Sequence, residues 1–262
     1  MMNTQTIALL LETASAAGRA ILDVYESDFA IAHKEDKSPL TLADKNAHQL
    51  IADRLSGTGI PLLSEEGKVI PYEVRKNWKE LWVVDPLDGT KEFIKRNGEF
   101  TVNIALVRNG ISEFGVICQP VADLMYFGGT GIASCKIVNA AGKSGENMLA
   151  DSVKMNSMML PNVFTIVASR SHLSPETASF IEESKIRHGR VELISSGSSL
   201  KLCMIADGKA HVYPRFAPTM EWDTAAGHAI VKAAGKNVYS FSSGEELCYN
   251  KPDLLNDWFI AK

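Results

Sequence analysis

Hydrophobic residues near the start of the chain recur at steps of three and four positions. The run comprises Ile7, Leu10, Leu11, Ala14, Gly18, Ile21, Leu22 and Tyr25. This spacing predicts a long amphipathic helix whose apolar face packs in the core. A similar pattern predicts a second helix that begins near Thr41, with buried positions Ala43, Ala47, Leu50, Ile51 and Leu55.

Short apolar runs follow and predict strands over residues 81–84, 101–107, 114–118 and 124–127. Asn109-Gly110 separates two of them and is typical of a tight hairpin turn. We therefore expect residues 1–160 to form an α+β half with an antiparallel sheet and a metal-binding loop. The stretch 139–161 has little periodicity and is rich in Gly, Ser, Asn and Met, which favours a connection between two halves.

Strand and helix patterns alternate in the second half of the chain. Strands are predicted at 164–168, 191–194 and 210–213, and helices at 174–184, 198–206 and 222–234. Such alternation indicates an α/β half over residues 161–262, which we expect to complete the metal site and the substrate pocket.

The segment Asp85-Pro86-Leu87-Asp88-Gly89-Thr90 leads an apolar strand into two carboxylates. Pro86 lacks an amide hydrogen, so we expect the strand to end at Asp85. Two carboxylates about 4 Å apart repel by roughly 4 kcal/mol at an effective dielectric of about 20, and a divalent cation would neutralise them. Oxygen ligands suit Mg²⁺, and amides at a helix start at Gly89 and Thr90 would attract phosphate.

An ordinary strand followed by an Asp-rich turn and a helix cap would explain a bare D-x-x-D as well. Two further element ends are acidic, however. Ser64-Glu65-Glu66 follows the apolar residues 60–63, and Asp223 lies in the first turn of a predicted helix, where a lone acid most often pairs with the helix dipole. Together the three acidic ends predict a magnesium site.

Composition excludes several classes of protein. The chain has 262 residues, of which 45% are hydrophobic, enough for one domain or two packed subdomains. Its net charge of -4 argues against binding to duplex nucleic acid. The four cysteines form no C-x-x-C pair, which favours reduced thiols over a zinc site. No apolar run reaches the roughly 20 residues of a transmembrane helix, and no signal sequence begins the chain, so we expect a cytoplasmic protein.

These motifs resemble the inositol monophosphatase superfamily of Mg²⁺-dependent, lithium-sensitive phosphatases. The similarity extends almost from end to end and includes Thr41-Leu42-Ala43-Asp44, the 64–66 and 85–90 segments, and residues 222–227. Residues 85–106, 169–172 and 197–201 most closely resemble bacterial 3'(2'),5'-bisphosphate nucleotidases. The resemblance implies a layered αβαβα sandwich, of the α/β class, with its active site between the halves.

The resemblance also implies roles for individual residues. Asp44, Glu65 and Thr90 would be catalytic, with Asp44 and Thr90 together activating the attacking water, and Glu66 would support a metal-bound water. Two or three Mg²⁺ ions would be held by Glu65, Asp85, the Leu87 carbonyl, Asp88 and Asp223. The substrate would contact Glu65, Leu87, Asp88, Gly89, Thr90, Ser198, Lys201, Arg215 and Asp223.

Some of these residues have simpler interpretations. Thr41-x-x-Asp44 has the spacing of a capping box, and from the residues alone we favour the cap. Ser198 could be an N-cap and Lys201 a solvated side chain, while Arg215 at a strand end could reach a second phosphate. Arg170 and His172 are further candidate contacts in a loop.

The function implied is Mg²⁺-dependent removal of the 3'-phosphate from adenosine 3',5'-bisphosphate, a small bisphosphorylated nucleotide, by direct attack of water. The sulfated relative of this nucleotide is a second expected substrate, in sulfur assimilation. Alternatives are hydrolysis of inositol monophosphate or fructose bisphosphate, or a non-catalytic nucleotide or phosphate sensor. Peripheral contact with the cytoplasmic face of the inner membrane is implied by the resemblance alone.

Overall fold

The computed structural model describes residues 2–27, 39–168 and 174–262. The helices are α1 (Thr4–Tyr25), α2 (Pro39–Ser56), α3 (Tyr72–Arg75), α4 (Thr90–Ile94), α5 (Gly145–Ala150), α6 (Pro175–His188), α7 (Leu200–Ala206) and α8 (Glu221–Ala233). The strands are β1 (Leu62–Ser64), β2 (Glu80–Asp88), β3 (Thr101–Arg108), β4 (Ile111–Gln119), β5 (Leu124–Gly129), β6 (Ile132–Val138), β7 (Val153–Lys154), β8 (Phe164–Ala168), β9 (Val191–Ser195), β10 (Tyr213–Arg215), β11 (Val238–Ser240) and β12 (Phe259–Ala261). None of these helices is long and apolar enough to cross a bilayer.

A seven-stranded sheet joins β1 to β7 in sequence order. Strands β1 and β2 are parallel, and every other neighbouring pair in this sheet is antiparallel. The predicted hairpin is confirmed: Asn109 and Gly110 connect β3 to β4 with φ angles of 50° and 80°. Positive φ at both central residues matches the right-handed twist of the flanking strands.

Both faces of this sheet are buried. On β2, Trp82 and Val84 face a core shared with α1 and α2, while Leu81 and Val83 face a second core shared with α7 and α8. The alternation follows from the two-residue repeat of a strand. Because α8 lies across β3 and β4, the second half of the chain shares its core with the first, and the boundary near residue 160 stays a prediction.

The remaining strands form a second sheet layer beyond α7 and α8. Strands β8 and β9 are parallel, β12 lies between β10 and β11, and an isolated bridge between Ile166 and Val212 links β8 to the start of β10. Helix α6 covers this layer through Ile181. The five layers alternate between helices and strands, which confirms the predicted layered α/β fold.

Two predicted strand boundaries are wrong, and two further features were not predicted. Strand β2 continues past Pro86 to Asp88, and β10 begins at Tyr213 instead of residue 210. The 139–161 stretch contains α5, capped by the Ser144 side chain, and the edge strand β7. The second half also contains antiparallel pairs, in which β12 lies between β10 and β11. Strands of three residues carry too little pattern to be found from sequence.

Candidate active site

Three carboxylates from two elements meet at one end of the large sheet. Asp85 and Asp88 come from β2, and Asp223 lies in the first turn of α8. One carboxylate oxygen from each residue lies within 4.8 Å of the others. Asp85 is buried, whereas Asp88 and Asp223 are partly exposed. The structure thus brings together residues that are separated by more than half of the chain.

An irregularity in β2 explains how Asp85 and Asp88 reach the same place. In a regular strand, residues three apart point to opposite faces. Here Asp85 pairs with Asn103 and Asp88 with Thr101, so β2 contains one extra residue at this point. Such a bulge needs no ladder hydrogen bond from the extra residue, which is why Pro86 is tolerated inside the strand.

Glu65 joins this group because β1 runs parallel to β2 and ends beside it. Ser64 pairs with Val84, and the Glu65 amide donates to the Val84 carbonyl at 3.2 Å. The exposed Glu65 side chain also shares a hydrogen bond with Asp85. Leu87 is buried, and its amide donates to Asp85 Oδ1 at 3.0 Å.

Crowding of the acids opposes their ionisation. Burial, followed by repulsion from Asp88, raises the pKa of Asp223 to about 7, and burial raises the pKa of Asp85 well above its ordinary value. The pKa of Glu65 is also raised, mainly by desolvation. A divalent cation would reverse these shifts by stabilising the charged carboxylates. The hard oxygen donors and their mutual repulsion fit Mg²⁺.

Asp44 lies near the same acids. Helix α2 begins at Pro39, so Thr41 is inside the first turn and is not an N-cap residue, and the capping interpretation is wrong. Within the described residues, the buried Asp44 Oδ1 has no hydrogen-bond partner. Burial, Glu66 and Glu65 raise the pKa of Asp44 to about 8. Thr90 is exposed at the cavity, and the Asp44–Thr90 pair stays a prediction.

A cavity of about 410 Å³ extends from the acids toward two cationic side chains, Lys201 and Arg215. Lys201 is buried, so its interpretation as a solvated side chain is wrong. Its ammonium group donates to the carbonyls of Ser196 and Ser198, at 3.1 and 2.7 Å. Burial lowers the pKa of Lys201 to about 8. Buried Arg215 Nε has no partner within the described residues, as expected where an anion would bind.

Ser198 and Ser199 contact Asp88 from the segment before α7. Ser198 has a φ of 52°, and its hydroxyl donates to Asp88 Oδ2 at 2.5 Å. The N-cap residue of α7 is Ser199, so the capping interpretation of Ser198 is wrong. Gly89, the residue before α4, lines the cavity with a φ of 100°. A left-handed conformation of this kind favours glycine.

Two residues at the site were given no role from sequence. Asn103 is buried in β3 opposite Asp85, and Ser199 accepts a hydrogen bond from its amide at 2.9 Å. A polar residue within the apolar run 101–107 was the available signal for Asn103, because buried amides need partners. The candidate contacts Arg170 and His172 lie outside the described residues.

The model of the inositol monophosphatase family matches residues 2–258. The chain belongs to this family. A family relative from Salmonella typhimurium, named 3'(2'),5'-bisphosphate nucleotidase CysQ, is 42% identical over 95% of the chain and 96% of its own length. The protein of the same name from Escherichia coli K12 is 41% identical over the same shares of both chains.

Solved structures of the family agree with the fold. The crystal structure of CysQ from Bacteroides thetaiotaomicron has a TM-score of 0.93 and 52% identity, and the match covers 99% of this chain and 97% of that one. An inositol monophosphatase from Zymomonas mobilis, at 22% identity, has a TM-score of 0.75, with 98% and 92% of the two chains covered. This second likeness concerns the fold alone.

Proposed function

We propose that the chain is a Mg²⁺-dependent 3'(2'),5'-bisphosphate nucleotidase that removes the 3'-phosphate from adenosine 3',5'-bisphosphate. One observation carries this proposal: acids suited to a metal and cations suited to a phosphate face the same cavity. A substrate with two phosphates matches both ends. The names of the relatives at 41–42% identity support the same substrate class.

The metal end would hold the phosphate that is removed. Glu65, Asp85 and the Leu87 carbonyl would bind one Mg²⁺, while Asp85, Asp88 and Asp223 would bind another. Bound Mg²⁺ would polarise the phosphoryl group and neutralise charge on its oxygens. The residues supply fixed anionic ligands, and the buried position of Asp85 strengthens its interaction with a cation.

Asp44 and Thr90 would prepare the attacking water. The Thr90 hydroxyl lies at the cavity and would orient the water, while Asp44 Oδ1, which lacks a partner within the described residues, would accept its proton. Burial and the neighbouring Glu66 and Glu65 favour the protonated form of Asp44, which supports its role as the acceptor of this proton. The phosphate would leave in one displacement, without a phosphoenzyme.

The cationic end would hold the 5'-phosphate. Arg215 Nε offers a donor without a protein partner among the described residues. An ammonium group has three donors, and two of those on Lys201 are used by backbone carbonyls, so the third would reach the phosphate. Ser198 would add a hydrogen bond by turning from Asp88. The same proposal includes the sulfated relative of the nucleotide as a second substrate and inhibition by Li⁺. It also includes a cytoplasmic role in sulfur assimilation and contact with the inner membrane.

A phosphate-release assay tests the proposal. Adenosine 3',5'-bisphosphate, inositol monophosphate and fructose bisphosphate would each be supplied with and without Mg²⁺. We expect rapid, Mg²⁺-dependent release from the nucleotide and much slower release from the two sugar phosphates. A preference for inositol monophosphate would reject the nucleotide as substrate, and binding without release from any of the three would indicate a sensor.

A further inference from the structure

Four donors crowd one oxygen of Asp88. Asp88 Oδ2 accepts from the Ser198 hydroxyl at 2.5 Å, from the Ser199 amide and hydroxyl at 2.7 Å each, and from the Asn103 amide at 3.4 Å. A carboxylate oxygen has two lone pairs, so these donors saturate Oδ2. The cation at the acid group would therefore be bound through Oδ1.

Ser199 is distinctive among these donors because it touches two of the acids. Its hydroxyl oxygen also lies 2.7 Å from the backbone carbonyl of Asp223. The side chain is buried, and although Ser199 is the N-cap residue of α7, its hydroxyl makes no capping hydrogen bond. The hydroxyl is therefore used between β2 and α8, the elements that carry Asp88 and Asp223.

Asn103 sets the direction of the Ser199 hydroxyl. The Asn103 side-chain amide donates to Ser199 Oγ at 2.9 Å, so the single hydroxyl hydrogen is directed to the side of Asp88 Oδ2 and the Asp223 carbonyl, which share it. Asn103 is itself held by the Thr101 hydroxyl, which donates to its Oδ1 at 2.9 Å. Both residues are buried in β3, on the strand next to β2. A short polar chain thus runs from β3 to Asp88.

We infer that Ser199 is a positioning residue, which fixes the Asp88 carboxylate so that Oδ1 faces the metal. Without its hydroxyl, the carboxylate would lose one of the strong hydrogen bonds that restrict its rotation. Partners that orient metal ligands in this way are typically worth about 10-fold to 100-fold in metal affinity. The inference rests on the metal site of the proposed function but not on the proposed nucleotide.

Titration of Mg²⁺ into metal-stripped protein by calorimetry, with no substrate present, tests this role. The variants are Ser199→Ala, which removes the hydroxyl, and Ser199→Cys, which replaces it with a weak donor. The matched control is Ser184→Ala, since Ser184 is buried in α6 and donates only to the Phe180 carbonyl of its own helix, at 2.7 Å. Urea unfolding without Mg²⁺ monitors the fold of every variant.

We expect both Ser199 variants to bind Mg²⁺ about 10-fold to 100-fold more weakly, with Ser184→Ala like wild type. A merely structural role would lower the free energy of unfolding and leave the Mg²⁺ affinity of the folded protein unchanged, and that result would overturn the inference. Wild-type protein that fails to bind Mg²⁺ would overturn the inference and the metal site together. If wild type binds Mg²⁺ but does not hydrolyse the nucleotide, only the proposed substrate is rejected.

Discussion

Lys201 and Arg215 are charged side chains that line the cavity, and each has few hydrogen-bond partners. Lys201 Nζ donates to two backbone carbonyls and lies 5.6 Å from the centre of the Tyr213 ring. Arg215 Nη2 donates to the Pro218 carbonyl at 3.3 Å. Neither is paired with a carboxylate in the described residues, so an anionic group of a ligand would be their strongest partner.

Replacing either cation should impair one substrate selectively. We expect Lys201→Ala or Arg215→Ala to lower kcat/KM for adenosine 3',5'-bisphosphate by about tenfold to hundredfold, since a charge-assisted hydrogen bond is worth roughly 1.5–3 kcal/mol. Adenosine 3'-monophosphate lacks the second phosphate and should be much less affected. Lys185→Ala, on the exposed surface of α6, is the control. Equal losses on both substrates would contradict the assignment.

Asp44→Asn and Thr90→Ala should reduce turnover more than substrate affinity. With a pKa raised to about 8, Asp44 without metal is mostly protonated at neutral pH, so Asn is a close structural substitute. We expect kcat to fall by at least about 100-fold for Asp44→Asn, because a general base typically accelerates a reaction by about 100-fold to 10⁴-fold. The free energy of unfolding at pH 7 should change little. A variant with normal kcat would exclude the role in water activation.

At the scale of elements, the position of α8 depends on close contact with the sheet. A Cβ atom added to Gly115 in β4 would lie 2.1 Å from the Ala226 carbonyl of α8. The Ala226 oxygen belongs to the backbone and the added Cβ atom would be fixed to it, so neither atom can move without moving the backbone. The missing side chain of Gly115 therefore lets α8 approach the sheet and brings Asp223 to β2.

Gly115→Ala should disturb both the fold and the metal site. We expect a loss of unfolding free energy of about 1–3 kcal/mol or more from overpacking, together with weaker Mg²⁺ binding as α8 is displaced. Gly57→Ala provides the control, since no atom lies within 4 Å of the position that a Cβ atom would take there. Urea unfolding and Mg²⁺ titration of both variants measure the effects. Unchanged Mg²⁺ affinity in a destabilised Gly115→Ala protein would show that Asp223 does not depend on this contact.

Sequence predicted the elements that have a full repeat of apolar residues. Helix α1 is one example, since its apolar residues follow the 3.6-residue repeat, and strand β3 is another, since its apolar run is buried on both faces of the sheet. The sequence also indicated the acidic residues of the site, because each follows or begins a predicted element and can be recognised from the residues around it. The end of β2 was mispredicted because the extra residue at Pro86 becomes acceptable only through pairing with β3. The role of Ser199 was missed for a similar reason: its partners Asp88 and Asn103 are remote in sequence.

At the scale of the whole molecule, stability is linked to protonation of the acid group. Asp44 and Asp223 have ordinary pKa values near 3.8, raised in the folded chain to about 8 and about 7. At a pH between the ordinary pKa of each group and its raised pKa in the folded chain, the folded protein retains a proton that the unfolded chain has released. The stabilisation by these groups is therefore complete below the ordinary pKa near 3.8, and it is lost as the pH rises through the raised pKa values of about 7 and about 8.

Metal-free protein should consequently become less stable as pH rises from about 5 to about 8, and Mg²⁺ should stabilise it most at the higher pH. Urea unfolding in chelator and in Mg²⁺, repeated across this range, measures both trends. In Asp223→Asn the pH dependence should be shallower, because Asn does not titrate. A flat profile for the wild-type protein without metal would contradict the raised pKa values.

The extra residue in β2 also limits how the length of this segment can change. Surface loops usually accept insertions and deletions, because few contacts depend on their length. Removing Leu87 would restore regular pairing with β3. Asp85 and Asp88 would then be two residues apart on the same face of the strand, with a spacing of about 7 Å along it. Adding a residue would shift every later position relative to β3. A change of one residue here, even if the chain still folds, alters the relative position of two carboxylates whose ligand oxygens now lie within 4.8 Å of each other. Among natural variants of this chain, gaps are therefore expected to avoid residues 85–88.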